Sequence, residues 1–393
     1  MIVRHFLKWS RTAPAHERAA ASSALARAYL YSDLRADEHA AAEGALVALL
    51  DDPSTLVRAA LARALASSEH APPVVILALA ADHPDIARCV LQQSPVLSDA
   101  DLVDAVATGR PEIQAAIAHR KPLTVAISGA IAEVGSPEAC LILVENLQAE
   151  IAPCSLDRIV ERFGHLAAIR EAMIARDDLP APTHQALLAK LSQTLAGMVG
   201  SKLGDDRAQL VAKEACEKAT VKLAAVLPDR EMPALVRHLR TSGQLTAGLL
   251  LRALLSGNIE MFEQSLAELS SLSLARVSAL VHDKGSSGFR AVFGKAGLPM
   301  STYPAFHEAI VAMREDGFIG DAGGVSRLKR RMVERVLTRC ADETSVDVEP
   351  LLSFLRRFAA EAAREEARAF CDQLAGNGPI AIERSYAPQR AAA

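Results

Sequence analysis

One phrase occurs four times in the N-terminal part of the chain. DDPSTLVRAAL, starting at Asp51, returns as ADHPDIARCVL from Ala81, as TGRPEIQAAIA from Thr108 and as VGSPEACLILV from Val134. Aligned on the first apolar anchor (Leu56, Ile86, Ile113, Ala139), the copies lie 30, 27 and 26 residues apart. Three and four positions after each anchor stand Ala59/Ala60, Cys89/Val90, Ala116/Ile117 and Ile142/Leu143. That spacing puts the side chains on one helical face. Pro53, Pro84, Pro111 and Pro137 precede the anchors by two or three residues. Proline suits a first helical turn, where its missing N–H has no intrahelical partner to lose.

Before each of these helices lies another apolar segment: LVALL, VVILALA, DLVDAV and VAISGAIAEV. Ser98, with Asp101 three residues on, opens the third as a capping box does. The unit is therefore helix, short turn, helix. One such pair cannot bury both apolar faces, whereas a stack of pairs makes a continuous core. The expected architecture is an α-solenoid over roughly residues 40–150.

Four residues before the anchor, the first two copies carry Asp52 and Asp82; two residues after it they carry Arg58 and Arg88. The third and fourth copies have Gly109 and Gly135, then Ala115 and Leu141. Acid and base are kept together and lost together, as expected of pairs within or between neighbouring layers. A partly exposed pair contributes only ~0.2–1 kcal/mol, so its expected role is register.

The Asp…Val-Arg phrase with its turn proline resembles HEAT-type repeats. More broadly, SPVLSDADLVDAV, AIAHRKPLTVAISGAIAEVGSPEACLILVENLQAEI, LTAGLLLRALLSGNIEMFEQSLAEL and GFRAVFGKAGLP resemble the bacterial domain-of-unknown-function family 2336. That resemblance implies a helical, HEAT-like protein over most of the chain. It supplies no catalytic residue.

Past Ser155 the pattern stays helical. GSKLGDD at 200–206 reads as the main internal boundary. The expected organisation is a repeat region over 1–200, a second helical domain over 201–375 and a disordered tail over 376–393. No segment reads as a β-strand, so the fold class is all-α. Composition agrees: half of the 393 residues are hydrophobic but only 4% aromatic, and alanine and leucine favour helix. The formal net charge of −4 is unlike that of a strongly basic nucleic-acid binder. Six scattered cysteines without C-x-x-C spacing read as reduced, mostly buried residues of a cytosolic protein. The opening MIVRHFLKWSRTAPAHER is basic, and its apolar residues are too interrupted for a signal peptide. Apolar runs elsewhere are too short to span a bilayer, and a cytoplasmic location is expected.

Tests for chemistry return nothing specific. GFRAVFGK, Gly288 to Lys295, has one residue too many for a P-loop, and Ala296 stands where a hydroxyl should hold magnesium. A turn between helices is expected there. His307-Glu308 lacks the second histidine of H-E-x-x-H, since position 311 is valine. No catalytic residue, metal ligand or cofactor is assigned.

The function expected is a non-enzymatic protein-interaction scaffold, with homo-oligomerisation left open. Its candidate surface comprises Arg58, Arg63 and Arg88, then Glu138 and Glu145, and also Arg327, Lys329, Arg330 and Arg331 in a basic helix. Asp52, Arg58, Asp82 and Arg88 are the expected stacking pairs, within or between layers. The alternative is a ligand-binding or enzymatic site at 285–303, where Phe289, Arg290, Phe293 and Lys295 cluster. A nucleic-acid role for the 327–339 helix ranks third, because no aromatic residue for base stacking lies near it.

Overall fold

The computed structural model describes residues 2–283, 286–316, 333–338 and 349–376. Its elements are helical throughout, and the β contact among the described residues is an isolated bridge between Leu123 and Ala149. The fold is all-α. The chain divides into two compact units, Met1–Met198 and Val199–Ala393.

In chain order the first unit begins with α1 (Ile2–Ser10), α2 (Ala15–Tyr31), α3 (Ala36–Ala48), α4 (Thr55–Leu65), α5 (Pro73–Ala80) and α6 (Pro84–Gln93). It continues with α7 (Asp99–Ala107), α8 (Pro111–Ala118), α9 (Val125–Val134), α10 (Pro137–Glu145), α11 (Pro153–Phe163) and α12 (Ala167–Ile174). Even-numbered helices pack successively, α2 on α4, α4 on α6, and so on to α12. Odd-numbered helices form a second row, with α1 on α3, α3 on α5, α7 on α9 and α9 on α11. One apolar cluster runs between the rows from Ala26 to Leu187. No pair of short helices could enclose such a core alone, which is why the phrase is repeated.

The repeated prolines start these helices in two ways. Pro84, Pro111 and Pro137 are first helical residues. Pro53 instead lies outside α4, before the N-cap residue Ser54. The difference shifts the first copy by one residue: Leu56 is 59% exposed, while Val57 is fully buried in the place that Ile86, Ile113 and Ala139 take in the others. Leu56 is therefore not the first anchor. The capping box on α7 is present, with the Ser98 hydroxyl accepting from the Asp101 N–H and the Asp101 carboxylate accepting from the Ser98 N–H.

The helix α13 (Ala181–Leu203) runs through Gly200, Ser201 and Lys202, and only Gly204 interrupts the path to α14 (Asp205–Ala224). Gly204 sits at φ 83°, in the left-handed region that a side chain disfavours. Of GSKLGDD, expected as the main internal boundary, only Gly204 is non-helical.

The second unit adds α15 (Met232–Thr241), α16 (Ala247–Leu255), α17 (Ile259–Ser270), α18 (Leu274–His282), α19 (Ser286–Lys295), α20 (Tyr303–Asp316) and a last described helix, Glu349–Gly376. In α16 every residue from Leu249 to Leu255 is buried, Arg252 included. GFRAVFGK, expected to be a turn, is helix α19. Its Phe289 and Phe293 stand four apart and pack inward with Phe262, Tyr303 and Phe306, at ring-centroid separations of 5.1–6.4 Å. Helical spacing of two aromatics outweighs the turn preference of the flanking glycines.

Among the described cysteines, Cys140 and Cys216 are buried, whereas Cys154 and Cys371 are exposed. Burial pushes the Cys140 thiol up to about 11, against the opposing charge of Arg162. The thiolate is the reactive form, so Cys140 is inert at neutral pH. Brief maleimide treatment of the native protein at pH 7.5, followed by peptide mass spectrometry, should label Cys154 and Cys371 and reach Cys140 only after unfolding.

Candidate interaction surface

Polar contacts of the first unit concentrate at the fourth residue of the even-numbered helices other than α6. In α2 this is Arg18, which grips the Asp52 carboxylate through Nε and Nη2, both at 2.8 Å, and donates from Nη1 to the Ala13 carbonyl. In α4 it is Arg58, which grips Asp82 at 2.6 and 3.0 Å and donates to the Asp52 carbonyl. In α8 it is the buried Gln114, donating to the carbonyls of Val106 and Val134 and accepting from the Ser136 N–H. Cys140 holds the position in α10 against the Ile131 carbonyl, and Arg170 holds it in α12 against the carbonyls of Gly164 and His165. Each side chain reaches back to carbonyls that precede its own helix. The first three also reach forward to the next layer. Helix ends leave four carbonyls without intrahelical partners, so this position meets a standing demand.

The opposite ends are tied in the same spirit. Arg120 donates to the carbonyls of Leu91 and Ser94, Asn146 to those of Ala118 and Arg120, and Arg176 to that of Val144. In the odd row Arg162 does this for Ala132 and Gly135.

The expected acid–base residues separate accordingly. Asp82 belongs to Arg58, and Asp52 belongs to Arg18, which sequence comparison overlooked. Its signal was present in the Arg-Ala-Ala of α2, repeated as Arg58-Ala59-Ala60. Arg88 does not match Arg58. Because α6 starts on Pro84, its fourth residue is the buried Ala87, and Arg88 turns out to solvent. The equation of Arg58 with Arg88 is therefore corrected by one residue, about 100° of helical rotation. Arg58 is corrected too, since its guanidinium is bound within the stack and is not offered to a partner.

The outer face of the even row is carried by the second, fifth and ninth positions. They are Leu56, Ala59 and Arg63 in α4, and Asp85, Arg88 and Gln92 in α6. They are Glu112 and Ala115 in α8, with His119 as its C-cap, and Glu138, Leu141 and Glu145 in α10. Arg63, Arg88, Glu138 and Glu145 are all exposed. Arg63 and Arg88 stand close enough together for both charges to act on the Cys89 thiol, which burial raises and they oppose. Arg327, Lys329, Arg330 and Arg331 lie outside the described residues, as does the expected tail. Residues 333–338 of the basic segment are helical, with Val333 and Val336 buried.

The second unit has a cleft of about 90 Å³ lined by Lys218, Lys222, Arg252, Asn258, Glu361 and Glu365 among others. Sequence reading missed it, because its charges come from three distant helices. Lys218 bridges Glu361 and Glu365 at 2.5 and 2.7 Å, and Arg252 donates to Glu361 at 2.8 Å. The Arg252 guanidinium also lies over the rings of Phe354 and Phe358. Burial pushes the Glu217 carboxyl up despite Arg252, 3.9 Å away. Burial acts the same way on Glu361, but hydrogen bonds from Lys218 and Arg252 outweigh it and hold that carboxyl low. The cations are largely consumed by carboxylates, so the cluster clamps the last helix to α14 and α16. Among the described residues no group of three metal-ligating side chains is found.

A family model described as an uncharacterised protein conserved in bacteria (DUF2336) matches residues 86–345, about two thirds of the chain. The Arg18–Asp52 and Arg58–Asp82 bridges precede that stretch, whereas Gln114 and Arg252 lie within it. No curated protein and no solved structure matches the chain.

Replacing Arg58 by Ala should lower stability in urea by ~1–3 kcal/mol, whereas Arg88→Ala should cost less than about 0.5 kcal/mol. The Arg58 hydrogen bond holds the Asp82 carboxyl below its usual range, so this stabilisation is complete above it and is lost as pH falls through the depressed value. The gap between wild type and Arg58→Ala should therefore narrow below about pH 4. In the second unit Arg252→Met should cost roughly 2–4 kcal/mol by leaving carboxylates buried without their cation. Glu217→Gln should match or exceed wild-type stability at pH 7. A raised carboxyl destabilises only once ionised, so that advantage should vanish as pH falls below about 4.

Proposed function

The chain belongs to this bacterial family, DUF2336, and from that premise we propose that it is a non-enzymatic scaffold recognising another protein on the even-numbered helices. The carrying observation is the division of labour around each of these helices. Fourth-position side chains turn inward, while Leu56, Arg63, Arg88, Glu112, Glu138 and Glu145 at second, fifth and ninth positions are exposed. Alanine at the fifth position of α4 and α8 keeps the middle of the face low. Arg63 and Arg88 make one end basic; Glu112, Glu138 and Glu145 make the other acidic. A partner segment of opposite polarity fits such a face in one orientation, which favours specificity over raw affinity. Stacked helix pairs present long surfaces of this kind without a deep pocket. The reading includes no catalytic step and no cofactor, and it places the protein in the cytoplasm.

Affinity capture from the native lysate tests it. The tagged protein should recover one or two proteins stoichiometrically at moderate salt. A variant combining Arg63→Glu, Arg88→Glu, Glu138→Lys and Glu145→Lys keeps the net charge and should lose at least tenfold of that recovery. A wild-type protein that captures nothing, or a variant that captures equally, would overturn the reading.

A further inference from the structure

The odd-numbered row has an outward side that the even-row face does not use, and at α3 and α5 that side is apolar. Helix α5 reads PVVILALA, with no polar residue among its eight. A helix that is apolar all round belongs in an interior. Val75, Ile76 and Leu79 do face the core, yet Val74 is 60% exposed and Leu77 47%, with Ala78 exposed beside them. Helix α3 packs alongside and, opposite its own core residues, exposes Gly44, Val47 and Ala48. After the first turn of α3, no exposed residue of either helix is charged; Glu43, at the edge, is half-buried. Gly44 lies inside its helix, where glycine is less favourable than alanine. A side chain there would meet nothing of the described chain within 4 Å, so the packing of one copy does not call for the glycine. A second body close to the backbone does.

The flanks of this apolar strip carry opposite charge. On the α3 side lies α1, where Lys8 stands about 160° around the helix from Phe6, which packs on the core cluster. Lys8 therefore points away from the core, and both it and Arg11 are exposed. On the α5 side the row continues with α7. There Asp104 is exposed, about 160° around the helix from each of the buried Leu102 and Val106.

We propose that this strip is the interface of a homodimer, with a second copy of the chain as its occupant. A two-fold axis parallel to the helices lays α3 of one copy over α5 of the other. The same rotation reverses the order of the row, so α1 of each copy comes opposite α7 of its neighbour. Lys8 and Arg11 then meet Asp104 at both edges, and the uncharged centre meets itself without repulsion. An unrelated acidic or basic partner would satisfy one flank and be repelled by the other. At about 1.5 Å per residue and about 9 Å between axes, the strip with its flanks covers roughly 500 Å² per copy. Two copies bury about 1,000 Å², at the low end for a specific interface, so a dissociation constant in the micromolar range is expected.

Sedimentation velocity of the full-length protein in low-salt buffer, from about 1 to about 200 µM, reads this directly. The weight-average sedimentation coefficient should climb from monomer to dimer across that range. Val74→Glu/Leu77→Glu, checked for folding by circular dichroism, should weaken dimerisation roughly tenfold or more. Ala78→Arg, on the same strip, should do likewise and stands in if the first variant does not fold. Lys8→Glu/Arg11→Glu and Asp104→Lys should each weaken it about fivefold. An equimolar mixture of those two variants should regain wild-type association, because both edges are then paired again. A wild-type protein that stays monomeric throughout overturns the proposal, as does a dimer that survives the strip variants unchanged. A mixture no tighter than its components overturns it too, since the flanks would not face each other. The even-row variant with four reversed charges should dimerise like wild type, so the two faces stand or fall separately.

Discussion

A polar side chain at the fourth helical position, held between carbonyls behind it and an acceptor ahead, is the contact on which the first unit depends. Apolar burial between the two helix rows is non-directional, and by itself it would let one pair slide or rotate against the next. The Arg18 and Arg58 forks remove that freedom, because a bidentate guanidinium–carboxylate contact has a single good geometry. Gln114 achieves the same with neutral groups, tying two helix ends and one N–H. At Ala87 the position is apolar, and register between α6 and α8 is held from the other end by Arg120. The bridges are half-shielded, which makes them firmer than surface pairs without the full desolvation cost of a sealed interior.

The second unit solves a different problem. Its central helix α16 is enclosed on all sides and yet carries Arg252. Enclosure forces the guanidinium to find both charge and aromatic partners, and it obtains them from α14 and the last helix. The apolar part of that unit relies on aromatic rings in offset and edge-on contact, each worth ~0.5–1.5 kcal/mol beyond area burial. The chain has only 15 aromatic residues in all (Trp 1, Tyr 4, Phe 10), and the concentration of five around α17, α19 and α20 marks where packing is most specific.

The helical class and the pairing of helices were legible in the sequence because proline and 3.6-residue periodicity leave few other choices. Ser98 with Asp101 was legible for the same reason, as a local pattern with a local cause. What failed was local geometry that depends on a single residue. Asp52-Pro53-Ser54-Thr55 and Asp82-His83-Pro84 look alike as strings, but the second enters its helix one residue sooner. A side chain that follows the start by one residue more or less faces the core or the solvent, and so Arg88 parted from Arg58. Arg18 was missed although Pro14 stands just before α2, because the third helical residue there is Glu17 and not the apolar residue that the other copies carry. The Arg252 cluster had no sequence signature at all, because residues 217, 252 and 361 meet only through tertiary packing. Arg63, Glu138 and Glu145, singled out as charges along the second helix of each pair, are exposed.

The fourth-position contacts reach no farther than the adjoining layer. A stack joined in this way has no closing strand and no residue that must see both of its ends. Such a structure can gain or lose a helix pair by copying or deleting one stretch of about thirty residues, with only the two flanking joints to be remade. The unequal copies, one bonded through arginine, another through glutamine and a third through nothing polar, are compatible with such piecewise change. Its length, and with it the reach of its outer face, is therefore a quantity that selection can adjust in whole layers.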